Sequence, residues 1–170
     1  MKQRGFTIVE LLIIISIMII LLTLAFVNLN ATQANNRDTE RTSEIGVIAN
    51  NLETFYKNGV NTTTVHGRYP STELFASGET SIKTFFPTID LSSVTAPDAA
   101  SAAASFIPAT NAAQTTTGVL PQPTKSQYVY QPIQTDGTLC TAETQECRKY
   151  VLYYRTEIDS TVRKVNSKIQ

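Results

Sequence analysis

A single acidic side chain interrupts a long apolar stretch near the start of the chain. Glu10 lies in the run GFTIVELLIIISIMIILL, residues 5–22, and is the only charged residue between Arg4 and Arg37. A charged side chain at the centre of a bilayer costs about 2.5 to 3.5 kcal/mol. Since such a group is tolerated where an opposite charge meets it, Glu10 is a candidate for charge pairing in an apolar environment.

Residues that could perform catalysis are sparse. The 170-residue chain has one histidine, His66, and contains no G-x-S-x-G elbow, no Cys-His signature and no phosphate-binding loop. Acid–base and nucleophilic chemistry therefore lack their usual groups, and we expect neither an enzyme nor a cofactor. A metal site is not expected either, because His66 lies far from both cysteines in sequence.

The apolar stretch is long enough to cross a membrane. Residues 11–27 are apolar apart from two hydroxyl side chains, and about 20 residues at a rise of about 1.5 Å each span the hydrocarbon. The positive charges of Lys2 and Arg4 predict a cytoplasmic N-terminus, with the rest of the chain outside. An ordinary secretory signal fits poorly, because it is shorter and ends at a small-residue cleavage site.

The block GFTIVELLI, residues 5–13, resembles the class III signal of type IV prepilins and pseudopilins. The resemblance implies that a prepilin peptidase cuts after Gly5, that Phe6 becomes an N-methylated N-terminus, and that Glu10 pairs a charge during assembly. It also implies assembly into a helical filament with the help of a platform protein and a cytoplasmic ATPase. Membrane lipid would surround the helix before assembly.

The position of Glu10 suits that role physically. Once residues 1–5 are removed, Phe6 carries a cationic amine one helical turn from Glu10, on roughly the same face. In a filament the amine of a neighbouring subunit can meet the carboxylate, so that a subunit one step out of place leaves a charge unpaired. The alternative is a plain single-span anchor whose Glu10 reaches the cytoplasmic interface.

One helix is expected over residues 6–57, because no proline precedes Pro70 and no glycine lies between Gly5 and Gly46. Its second half is amphipathic and should pack against a folded head before stopping near residues 58–59. The apolar positions are Ile45, Ile48, Leu52 and Phe55 or Tyr56, and the polar positions expected on the other faces are Arg37, Asp38, Glu40, Arg41, Glu44 and Glu53.

The first part of the head is expected to contain short helices followed by a segment with few large apolar residues. Residues 67–71, GRYPS, resemble the G-x-YP segment that follows the long helix in pilins, and short helices are expected through Phe75 and over residues 81–86. Phe85 and Phe86 are expected in the core. Residues 91–124 are rich in Ala, Ser and Thr, so we expect them to pack loosely over the head as an exposed loop, with at most a short helix near residues 99–106; a surface for O-linked sugar is the alternative.

Two strands are predicted in the last third of the chain. Residues 126–134 and 148–157 are rich in Tyr, Val and Leu, with a turn signal at residues 136–137 between them. Cys140 and Cys147 lie close to the connection, so a disulfide would join the strands, as in the C-terminal disulfide loop of the pilins; a reduced pair is the alternative.

Together these features predict an α+β chain: a long N-terminal hydrophobic and amphipathic α-helix packed against a small antiparallel β-sheet head. We expect a leader at 1–5, a membrane and assembly segment at 6–29, an amphipathic segment at 30–58, a variable region at 59–125 and a sheet region at 126–170.

The predicted function is a structural subunit of a type IV pilus, first in the cytoplasmic membrane with its N-terminus inside and then in an extracellular filament. A pseudopilin of a type II secretion or competence system is one alternative, and a membrane-anchored extracellular binding domain is another. DNA is a further candidate partner, because residues 148–170 carry more basic than acidic side chains; the alternative, which we favour, is that these charges face acidic groups on the next subunit.

Overall fold

In a computed structural model, the chain is described over residues 6–59 and 66–169, without the side chains of Val27 and Asn28. Helix α1 spans Ile8–Asn58 without interruption. Within the described part of the chain it is the one helix long and apolar enough to cross a membrane. The predicted leader at 1–5 lies outside the described residues.

Helix α1 has the predicted apolar face. Ile45, Ile48, Leu52 and Phe55 are all buried against the head, as their helical spacing requires. The helix ends where Gly59 takes a positive φ of 65°, a conformation that glycine adopts at little cost.

Short helices connect α1 to the sheet. A 3₁₀ turn at Thr72–Phe75 is capped by the Ser71 hydroxyl, which accepts from the Glu73 amide at 3.1 Å, and α2 follows at Glu79–Phe85. A second 3₁₀ turn spans Leu91–Val94, and α3 is a single turn at Ala102–Ser105. As predicted, Phe85 and Phe86 pack in the core, with ring centroids 5.7 Å and 6.2 Å from that of Phe55.

The sheet has four strands in the order β1-β2-β3-β4, with β1 at Phe106–Pro108, β2 at Tyr128–Gln134, β3 at Cys147–Arg155 and β4 at Val162–Asn166. The two predicted strands are β2 and β3, which pair antiparallel, and β4 pairs antiparallel with β3. The sheet is mixed rather than wholly antiparallel, because β1 joins β2 in parallel. No local pattern predicts a three-residue strand directly after α3.

Each face of the sheet has its own cover. Alternate residues of β2 and β3, such as Tyr130 and Leu152, belong to the core cluster that includes the buried face of α1, and the residues between them, such as Val129 and Tyr153, belong to a second cluster on the other face. That second face is covered by Ala109 and Val119, both buried. The expectation of an exposed loop over residues 91–124 holds only in part: Ala109 and Val119 are buried against the sheet, whereas Thr110, Gln114 and Thr115 are exposed.

The head also contains a loop that is closed by a disulfide. Cys140 and Cys147 are joined by a disulfide. The segment after Gly67 lies along this loop: the Tyr69 amide donates to the Cys147 carbonyl at 2.8 Å and the Thr72 amide to the Cys140 carbonyl at 3.1 Å. The loop thus holds the residues that lead from α1 into the head.

We expect the disulfide to stabilise the head. Closing a loop of about eight residues contributes about 2.5 kcal/mol on the chain-entropy model. The double variant Cys140→Ser, Cys147→Ser should lose about that much free energy of unfolding, measured by urea denaturation of the detergent-solubilised chain. A reducing agent should lower the wild-type midpoint and leave that of the double variant unchanged. Equal midpoints for the oxidised wild type and the variant would contradict the expectation.

Candidate assembly site

The start of α1 is held by a reciprocal pair of side chains. The Thr7 hydroxyl accepts from the Glu10 amide at 3.2 Å, while Glu10 Oε2 accepts from the Thr7 amide at 3.2 Å. This is a capping box, and the T-x-x-E spacing of residues 7–10 was the sequence signal that predicts it. The box leaves Glu10 Oε1 outside these two bonds, so the carboxylate caps its own helix and still has an oxygen to offer a cation.

The apolar part of α1 has no cover within the described chain. Ser16 and Thr23 return their hydroxyls to the helix backbone, at 2.8 Å from the carbonyls of Leu12 and Ile20, so they present no polar surface outward. The large exposed apolar side chains are Phe6, Ile8, Val9, Leu11, Leu12, Ile13, Ile14, Ile15, Ile17, Met18, Ile19, Ile20, Leu21, Leu22, Leu24, Phe26 and Leu29. An apolar surface of this extent marks a membrane or protein contact.

Three polar residues of α1 do not lie where the helical pattern predicted. Arg41, Glu44 and Glu53 were expected on the outer faces, and all three are buried between α1 and the head. Each has partners that compensate for its loss of water. Sequence alone could not reveal this, because the partners come from residues 69–168.

The two buried carboxylates of α1 meet a row of tyrosine hydroxyls. Tyr128 donates to Glu44, and Glu53 accepts from Tyr69 at 3.1 Å and Tyr150 at 3.2 Å. Burial raises the pKa of Glu44 above its ordinary value, although the hydrogen bond from Tyr128 opposes this. Burial also raises the pKa of the Tyr128 and Tyr150 hydroxyls, so these tyrosines stay neutral donors.

A second set of charges joins α1 to the end of β3. We call Arg37, Asp38, Arg41 and Glu157 the charge network. Arg37 donates to both Glu157 oxygens, at 2.8 Å and 2.6 Å, while Arg41, whose side chain is 0% exposed, donates to Asp38 at 2.8 Å. The hydrogen bond and charge of Arg37 lower the pKa of Glu157 to about 2, against the opposing effect of burial.

The predicted site residues fall into separate places. Phe6 and Glu10 lie at the exposed start of α1, whereas Cys140 and Cys147 lie in the head. Gly5 lies outside the described residues. Within the described ranges, no group of three or more His, Cys, Asp or Glu side chains could hold a metal ion.

Comparison with known proteins bears on the N-terminus. Residues 1–26 match the family model of the prokaryotic N-terminal methylation motif, the class III signal peptide of type IV pilins. No curated protein and no solved structure matches the chain. The resemblance predicted from residues 5–13 is confirmed, and the α+β fold with its long N-terminal helix is consistent with a pilin.

The motif supports a precursor of the type IV pilin or pseudopilin kind, which points to a structural subunit rather than an enzyme. It also implies processing by a prepilin peptidase and assembly, and with the apolar helix it fits a membrane-anchored pilin.

The charge network predicts the acid behaviour of the head. Because the pKa of Glu157 is lower in the folded chain than the ordinary value of 4.5, the folded state binds fewer protons between these values and its stability falls as the pH drops through them. Glu157→Gln should be less stable at neutral pH and should lose less stability between about pH 4.5 and about pH 2. Urea midpoints measured across this range test the expectation.

Glu146→Gln is the matched control, since Glu146 pairs with Arg148 on the exposed surface and such pairs contribute little. An acid slope that is the same in Glu157→Gln as in the control would contradict the role of the network.

Proposed function

We propose that the chain is a type IV pilin. A prepilin peptidase removes residues 1–5, Phe6 becomes the N-methylated N-terminus, and the mature chain assembles through α1 into an extracellular filament. The observation that carries the proposal is Glu10, an acid at the start of a helix segment with no other charge before Arg37.

The uncovered apolar surface of the helix suits two successive environments, first the membrane and then the filament. Residues 6–29 are long enough to span the cytoplasmic membrane before assembly, and the same surface must be covered again when the subunit leaves the lipid. Identical helices from other copies supply such a cover, since they bury apolar surface of the same kind. A platform protein and a cytoplasmic ATPase would drive this transfer.

Glu10 has one role in the membrane and another in the filament. Before assembly the capping box satisfies the Thr7 amide at the helix start. In the filament, the carboxylate pairs with the Phe6 amine of a neighbouring copy. An unpaired charge in such a core costs about 3 to 5 kcal/mol, which is enough to reject a misplaced subunit.

Two alternatives share part of the evidence. A pseudopilin of a secretion or competence system would carry the same N-terminal motif and the same charge pairing. A single-span anchor of an extracellular binding domain needs the apolar helix, but it needs neither a cleavable Gly5 nor a charge at Glu10. The proposed pilin is favoured over the anchor because it uses both features.

The basic C-terminal segment indicated duplex DNA as a candidate partner. The contacts of its side chains weaken that indication. Arg148 pairs with Glu146 at 3.1 Å and Arg163 pairs with Asp159 at 3.2 Å. Charges already paired within the chain have less to gain from phosphates. DNA binding therefore stays a prediction from sequence and is not part of the proposal.

Substitutions at the helix start separate charge pairing from capping. Glu10→Gln keeps a carbonyl oxygen for the capping box and removes the charge, whereas Thr7→Val removes the box and keeps the charge. If charge pairing drives assembly, Glu10→Gln should lower the yield of sheared filaments at least about tenfold, since the unpaired amine costs several kcal/mol. Thr7→Val should lower it much less.

The chain level in the membrane fraction and the processed state of the N-terminus serve as controls and should be unchanged in both variants. A Glu10→Gln variant that yields filaments like the wild type would contradict the role of the charge.

A further inference from the structure

Strands β3 and β4 are joined by a tightly bonded turn at residues 156–161, which we call the anchored turn. The Thr156 amide donates to the Thr161 carbonyl at 3.0 Å, and the Thr161 amide and hydroxyl donate to Asp159 at 3.1 Å and 2.8 Å. Thr156 also donates its hydroxyl to Asp159. The turn is therefore fixed by its own side chains.

Helix α1 is joined to the anchored turn by hydrogen bonds. Asp38 accepts from the Glu157 amide at 2.7 Å through one carboxylate oxygen and from the Ile158 amide at 3.1 Å through the other. Glu157 in turn accepts from Arg37. Both the backbone and the side chains of the turn are thus bonded to one stretch of α1.

The residue that this arrangement presents is apolar and exposed. Ile158 is 62% exposed, and among the described residues beyond α1 the only other large exposed apolar side chain is Leu120, at 52%. Fixing a turn with paired charges while leaving an isoleucine in water brings the single chain no packing benefit. The exposed side chain is explained if something covers it.

The position of the anchored turn limits which partner can cover Ile158. The anchored turn lies beside residues 35–42 of α1, which follow the uncovered apolar stretch after the short segment 30–34. Two packed helices lie about 8 to 10 Å apart. A second helix that covers residues 6–29 on the side of α1 that carries Asp38 and Thr42, and continues along α1, passes the anchored turn.

The surface around Ile158 is mixed in character. A groove of about 290 Å³ separates the turn from α1, with Asn35, Thr39 and Thr42 on one wall and Asp159 and Arg163 on the other. Ile158 also lines this groove. This combination matches the part of α1 where exposed Leu29 is followed by exposed Asn30 and Gln33.

We propose that Ile158 and this groove form a docking surface for α1 of a second copy of the chain, at the end of its apolar stretch near Leu29. Ile158 packs on Leu29 of that copy, and the groove receives the polar side chains that follow. This inference rests on the proposed assembly into a filament and assigns one contact surface within it.

Paired substitutions test the surface. Ile158→Asp should lower the yield of sheared filaments about tenfold or more, because burying a carboxylate against an apolar helix is unfavourable. Leu120→Asp is the matched control, with the same chemical change on the other exposed apolar residue, and should lower it little. The urea midpoint of each detergent-solubilised variant should stay near that of the wild type, which separates assembly from folding.

A photo-crosslinking amino acid at position 158 identifies the occupant in wild-type-like filaments. Residues 6–37 of the mature chain contain no Lys or Arg before Arg37, so trypsin releases them as one peptide. We expect the crosslink to join position 158 to that peptide in a second copy.

A crosslink to a head peptide, to lipid or to another protein would overturn the proposal, as would equal filament yields from Ile158→Asp and Leu120→Asp. Absence of filaments from the wild-type chain would instead refute the proposed function, and the docking surface with it.

Discussion

The apolar surface of residues 6–29 has no cover within the described chain, and the rest of the molecule is arranged around that constraint. A helix of this length and composition is stable in lipid or among copies of itself, and costly in water. The head therefore contacts only the second half of α1 and leaves the first half free for other partners. In the proposed filament, the charge of Glu10 would add selectivity to a surface that could otherwise bind any apolar neighbour in any register.

The head is attached to α1 by polar contacts as much as by apolar ones. Arg41, Glu44 and Glu53 lie within the packed interface, and each has hydrogen-bond partners from the head. Sliding or rotating the helix by one residue would separate these groups and leave charges buried without partners. The polar contacts therefore fix the direction in which the apolar half of α1 leaves the head, and the proposed assembly would require that direction to be constant.

Local patterns predicted much of this structure. The long helix followed from the missing prolines, its buried face from Ile45, Ile48 and Leu52, and strands β2 and β3 from their Tyr and Val content. The capping box was also readable from Thr7 and Glu10 and was missed. Other features depend on distant partners: Arg41 is buried where the Lys125 carbonyl and Glu157 accept its hydrogen bonds, and Ala109 and Val119 are buried where they meet the second face of the sheet. No local pattern reports such contacts.

The most direct test of the central claim is the intact mass and N-terminal sequence of the protein in filaments sheared from the cell surface. We expect a chain that starts at N-methylated Phe6 and is lighter by two hydrogens because of the bond between Cys140 and Cys147. A protein that retains Met1 and occurs only in the membrane fraction would contradict processing and assembly, and would identify the chain as an anchored surface domain.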